Sequence, residues 1–211
     1  MLGAIGLLLC VKLFVFSDRT LPIEGVVTDA RTGKPIAKVI VTADWDMHAP
    51  FMVGWGRSHR TVTDEQGRFR VPGKLLPTLL SKFDFQSLHC YHPLYDFANK
   101  MVFTKRYGGY REGKIERGRL QVTLQMQALE DRFSKPEDNS ELATFFSAIT
   151  PEYFLQLRDK YGVRYDLKEV LAKWEHLATR YPQGNHKHGY EAIQLYFPRL
   201  RFQMEKIMSR Y

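Results

Sequence analysis

The spacing of hydrophobic positions changes twice along the chain. From Leu2 to Phe16 nearly every position is apolar and the only charge is Lys12. A helix over these residues would run about 22 Å, short of the roughly 30 Å hydrocarbon core of a bilayer. That length suits the apolar core of a signal peptide or a short signal anchor. From Leu21 onward the period falls to two. Leu120, Val122, Leu124 and Met126 alternate with Gln121, Thr123, Gln125 and Gln127, the mark of a strand with one wet face. Seven short strands are predicted, near 23–28, 36–43, 61–63, 68–71, 83–90, 101–105 and 120–126. Turn chemistry separates them, most clearly Asp29 to Pro35 and Asp64 to Gly67. Such a series predicts a β-sandwich.

After Ala128 the period lengthens to that of helices. Asn139 or Ser140 is placed to start a helix running to about Ile149. Thr150-Pro151-Glu152 begins a second, with Thr as N-cap and Pro at the first helical position, and Gly162 ends it. Asp166-Leu167-Lys168-Glu169 resembles a capping box. Behind it Leu167, Val170, Leu171, Trp174, Leu177, Ala178 and Tyr181 form one apolar stripe that Pro182 closes. A last helix is predicted from about Tyr190, with Pro198 kinking or dividing it. Domain organisation follows: a signal or anchor segment over 1–19, a β-sandwich over 20–129 and a helical extension over 130–211. The fold class is mainly β plus α.

Four pieces of the β region carry a family resemblance. They are Ile23-Glu24-Gly25-Val26-Val27-Thr28-Asp29, Thr32-Gly33-Lys34-Pro35-Ile36, Val39-Ile40-Val41, and Thr63 through Pro72. Together they resemble the carboxypeptidase regulatory-like domain. His92-Pro93-Leu94-Tyr95 is similar to that family's His-Pro-Gly-Tyr turn, with Leu94 in place of glycine. The resemblance spans residues 21–128 and implies a transthyretin-like, seven-stranded β-sandwich acting as an accessory or interaction domain. It carries no catalytic residue across. Trp45 to His59 and Tyr107 to Arg119 depart from the family and read as an insertion and a basic, Gly-rich loop.

Charge narrows the partners. The net charge is +8. Residues 20–129 hold +6, residues 130–150 hold −3 and residues 151–211 hold +4. This excess is spread out, with no Lys/Arg run of the kind that marks a nucleic-acid tail, so no nucleic-acid partner is expected. The expected partners are a membrane, through Leu2–Phe16, and an envelope protein or glycan. The expected location is membrane-anchored, facing the periplasm or the extracellular side, or secreted after signal cleavage. A third option is acylation of Cys10, although Leu9 stands where a lipobox has a small residue.

Chemistry-bearing clusters are few. No G-x-S-x-G elbow and no Walker or Rossmann phosphate loop occurs, and no cofactor is expected. His89, Cys90 and His92 are the one thiol–imidazole cluster. On a regular strand 90 and 92 share a face and 89 takes the other, which works against a metal site or a nucleophile–base pair. His186 and His188 read as a solvated turn. The binding candidates are Trp45, Phe51, Trp55, Arg57 and Arg60, because a loop carrying that much aromatic surface either binds something or folds over an open sheet edge. The functional expectation is a non-catalytic binding module. The alternatives are an envelope metal-binding protein or enzyme using His89/Cys90/His92, and a structural subunit that assembles through its C-terminal helices.

Overall fold

A computed structural model describes residues 17–49, 52–73, 75–77, 82–101, 113–134, 139–180 and 187–211. Leu2–Phe16, Phe51, residues 102–112, Tyr181, Pro182 and His186 lie outside these residues, so the predictions made for them lie outside as well; residues 113–119, expected as loop, form a strand over Gly113–Glu116, a turn and the first residue of the next strand. The chain divides into two compact units. One runs through Tyr91 and takes in Phe97–Met126; the other joins His92–Asp96 to Gln127–Tyr211.

The β unit is built on two four-stranded sheets. The first has the order β5 (Arg68–Val71), β2 (Ile23–Asp29), β10 (Arg119–Met126), β9 (Gly113–Glu116). The second has the order β4 (Met52–Val62), β3 (Ile40–Ala49), β7 (Lys82–His92), β8 (Tyr95–Met101). A small pair joins β1 (Ser17–Arg19) to β6 (Leu75–Pro77). The strand at 17–19 falls within the stretch expected to be signal or anchor. The registered pairs are antiparallel except β10 with β2, which run parallel with Leu120 opposite Ile23 and Met126 opposite Asp29. Alternation sorts the side chains: Ile23, Val27, Phe69, Val71, Val122, Leu124 and Met126 from the first sheet are buried, as are Val41, Ala43, Leu88 and Cys90 from the second; Ile40, which takes the other face at the start of its strand, is buried as well.

The turns form for the reasons read in the sequence. Asp29 Oδ1 accepts from the backbone N–H of Arg31 (3.0 Å) and Thr32 (2.7 Å) and from the Thr32 hydroxyl (2.9 Å). Asp64 does the same for Gln66 and Arg68 N–H, at 3.0 and 2.9 Å, and Gly67 takes a positive φ of 69°. The predicted strand at 36–43 begins only at Ile40. The buried Thr63 hydroxyl intervenes there, accepting from Val39 N–H and donating to the Ile36 carbonyl, both at 2.8 Å. Trp45 to His59 is not a loop but most of a long hairpin: β3 and β4 pair from Ile40 opposite Val62 to Ala49 opposite Met52, with a bulge after Trp45. Gly54, which a strand interior disfavours, lies within the pairing, opposite Met47.

The helical unit contains α1 (Leu129–Arg132), α2 (Asn139–Ala148), α3 (Glu152–Tyr161), α4 (Leu167–Thr179) and α5 (Lys187–Met208). Pro151 already has helical angles, φ −56° and ψ −33°. Gly162 adopts φ 66° and its N–H returns to the Arg158 carbonyl at 2.9 Å, ending α3. Asp166 caps α4 by accepting from Lys168 and Glu169 N–H at 3.0 and 3.1 Å. All six stripe residues from Leu167 to Ala178 are buried. Around Trp174 the rings of Phe145, Phe146 and Phe154 lie 6.1 to 6.3 Å away, centre to centre. Pro198 does not divide the last helix, which is continuous across it. Pro198 leaves the Gln194 carbonyl without its helical N–H partner, and both residues are exposed. The predicted start at Tyr190 moves to Lys187, which brings His188 into the first turn of the helix.

Candidate functional site

The strand β7 separates the three residues of the thiol–imidazole cluster. Cys90, 2% exposed, points into the core. His89 lies on the opposite face, where its Nε2 meets Ser87 Oγ at 2.8 Å and Asp44 Oδ2 at 3.2 Å. A serine, a histidine and an aspartate therefore meet, but both partners approach the same ring nitrogen. A proton relay needs the base held through one nitrogen while the other faces the nucleophile. The two contacts at Nε2 fix the imidazole and do not have the geometry of that relay. His92 belongs to the helical unit. Its Nδ1 accepts the Leu94 N–H at 3.2 Å, and its ring packs edge-on against Tyr95 and Tyr165, at 5.1 and 5.3 Å. Leu94 needs no glycine in that turn, because among the described residues the non-glycine positive φ values fall at Lys38 and Arg117. Among the described residues no three His, Cys, Asp or Glu side chains converge as metal ligands.

The aromatic and arginine candidates are also dispersed. Trp45 is 3% exposed and packs in the core of the β unit. Arg57 stands opposite Trp45 across the β3–β4 pair, and Arg60 stands opposite Thr42. Opposed residues share a face and the face alternates along a strand, so the two exposed arginines leave opposite sides of this edge strand. Trp55 lies on β4 opposite Asp46, and Phe51 is outside the described residues.

What the fold does assemble is a row across the first sheet. Arg70 on β5, Glu24 on β2, Gln121 on β10 and Lys114 on β9 stand opposite one another in register. Glu24 is the hub. Its Oε1 accepts from Arg119 Nη1 at 2.7 Å and lies 3.4 Å from Arg70 Nε, while Gln121 Nε2 reaches Oε2 at 3.3 Å. A cleft of about 410 Å³, open to solvent, lies along this row and is lined among others by Glu24, Thr61, Asp64, Arg68, Arg70 and Gln121. Donors and acceptors fixed in a plane suit hydroxyl- or amide-rich ligands. The sequence marked Gln121 as a wet-face position, but only the register between strands shows that it stands in one row with Glu24, Arg70 and Lys114.

Three carboxylates of the β unit titrate below their ordinary range. Glu24 is lowered chiefly by the Arg119 hydrogen bond, Asp64 by the Arg68 backbone N–H and Asp29 by the Thr32 backbone N–H. A carboxylate depressed in the native state contributes stability that is fully present above its unfolded value, near 4, and is lost as pH falls through the folded value. The urea midpoint is therefore expected to hold from about pH 7 to 5 and to fall below about pH 4. Asp29→Asn with Asp64→Asn should flatten that fall. A wild-type midpoint that does not move between pH 6 and pH 3 contradicts these shifts.

No protein-family model and no curated protein matches the chain. Among solved structures it is similar to a Streptococcal ancillary pilin at 10% identity, over 51% of this chain and 29% of that one, with a TM-score of 0.27. It is also similar to the dioxygenase domain of a dioxygenase carbohydrate-binding protein fusion from the cellulolytic bacterium Streptomyces sp. SirexAA-E. There the identity is 14%, over 53% of this chain and 79% of that one, with a TM-score of 0.31. The chain thus spans under a third of the pilin, and at these scores neither likeness bears on activity. Among the described residues no helix is long and apolar enough to cross a membrane, and Leu2–Phe16 lies outside them.

Proposed function

We propose that the chain is an exported or membrane-associated envelope protein whose β unit is a non-catalytic binding module for a protein or glycan. The observation that carries this reading is the cleft along the Arg70–Glu24–Gln121 row. It offers several fixed polar groups on a rigid sheet, the usual design of a surface that orients a polar ligand. The geometry at His89 and the burial of Cys90 favour a binding role over a hydrolytic one. We read the two sheets as an elaborated transthyretin-like sandwich, since setting aside β1, β6 and β9 leaves seven strands. Leu2–Phe16 supplies the membrane association or the export signal.

Binding of the full chain to an array of envelope glycans and to envelope protein extracts tests the module. Arg70→Ala with Gln121→Ala is expected to reduce retention about tenfold while leaving the melting temperature within a few degrees, since Arg70 is exposed, Gln121 is only half-buried, and polar changes away from the core are near neutral for stability. Retention unchanged in this variant removes the cleft as the binding surface. A chain found intact, soluble and cytoplasmic after cell fractionation removes the envelope assignment.

A further inference from the structure

The helix α5 is amphipathic in an unusual way. Ile193, Phe197, Leu200, Met204 and Ile207 are buried on one side. On the other side, Leu195, Arg199, Phe202 and Lys206 follow one another at intervals of four, three and four residues, which places them on a single outward stripe. Leu195 and Phe202 are 69% and 68% exposed, about 10 Å apart along the axis. Large apolar side chains this open, repeated on one stripe, mark a contact surface rather than scatter.

We propose that this stripe rests on an anionic lipid surface. The argument is charge complementarity. Arg199 and Lys206 stand on the stripe, with Glu191 beside its N-terminal end. Arg201, on the flank, is instead matched within the protein by Glu175 at 2.6 Å and Glu205 at 2.9 Å. Alternating apolar and cationic positions fit the boundary of a bilayer, where Leu and Phe enter the acyl edge and Arg and Lys meet phosphates. A second copy of the same stripe would set these cations against their own kind, which disfavours self-association. The contact is independent of the cleft and does not require Leu2–Phe16 to anchor the chain.

The test uses the full chain with Cys10→Ser and Ser209→Cys, labelled at residue 209 with an environment-sensitive fluorophore. Vesicles of phosphatidylcholine alone are compared with vesicles containing 30% phosphatidylglycerol. A blue shift with the anionic vesicles only, lost at high salt, is the expected result. Arg199→Gln with Lys206→Gln should weaken the titration about tenfold or more, and Leu195→Ser with Phe202→Ser should abolish the shift, both with unchanged circular dichroism. No shift with anionic vesicles overturns the proposal, even if the chain sediments with them through its N-terminus. So does an equal shift with neutral vesicles, or a dimer that depends on Leu195 and Phe202.

Discussion

Trp174→Ala is expected to remove most of the stability of the helical unit. The indole is fully buried, with three phenylalanine rings around it, and its Nε1–H donates to the Pro93 carbonyl at 2.9 Å. Truncating a buried Trp costs about 3–5 kcal/mol in lost transfer energy and cavity. The Pro93 carbonyl left without its donor adds about 1–3 kcal/mol. A domain of this size holds about 5–15 kcal/mol in all, so a thermal melt followed by helical circular dichroism should shift down by tens of degrees or disappear. Trp174→Phe separates the two contributions. It keeps an aromatic ring but orphans the carbonyl, and should cost clearly less. If Trp174→Ala melts within a few degrees of the wild type, the aromatic cluster is not the core of this unit.

Gly67→Ala is expected to destabilise the β unit strongly for a single added methyl. Gly67 closes the Asp64 turn at φ 69°, and a Cβ there would sit 2.5 Å from the Val27 carbonyl oxygen and 3.0 Å from Pro35. The left-handed conformation alone costs alanine about 1–2 kcal/mol. The clash adds more, because the atom it meets is backbone: Val27 O accepts from Ile36 N–H at 3.0 Å and cannot retreat without breaking that bond. A total near 3 kcal/mol is expected, read as a lower urea midpoint with an unchanged slope. Gly33→Ala is the control. Its φ is 68° but nothing lies within 4 Å of the added methyl, so it should show the conformational cost alone.

The features legible in the sequence are those encoded within a few residues. Asp166 as a cap, Gly162 as a stop, the stripe through Trp174 and the Asp29 turn all depend on neighbours close in the chain. The misread features depend on distant partners. Trp45 to His59 reads as an inserted loop until β3 supplies a strand for β4 to pair with. Trp45 looked like a surface aromatic because nothing local reveals which side of β3 faces the core. Thr63 looked like an ordinary strand residue, whereas its hydroxyl serves Val39 and Ile36, more than twenty positions away. The polar row through Glu24 was invisible for the same reason: its members are scattered polar residues until the register aligns them.

The parallel pairing of β2 with β10 has a consequence during synthesis. Glu24 and Gln121 are partners 97 residues apart, and β10 lies inside its sheet, between β2 and β9. At about 5–20 residues per second the ribosome needs on the order of ten seconds to deliver β10 after β2 has emerged. Throughout that interval one side of β2 offers unpaired backbone groups to any passing strand. The sheet closes only when its last strand arrives, so the nascent chain stays open, and available to a chaperone or an export factor, for most of the time it takes to make the β unit.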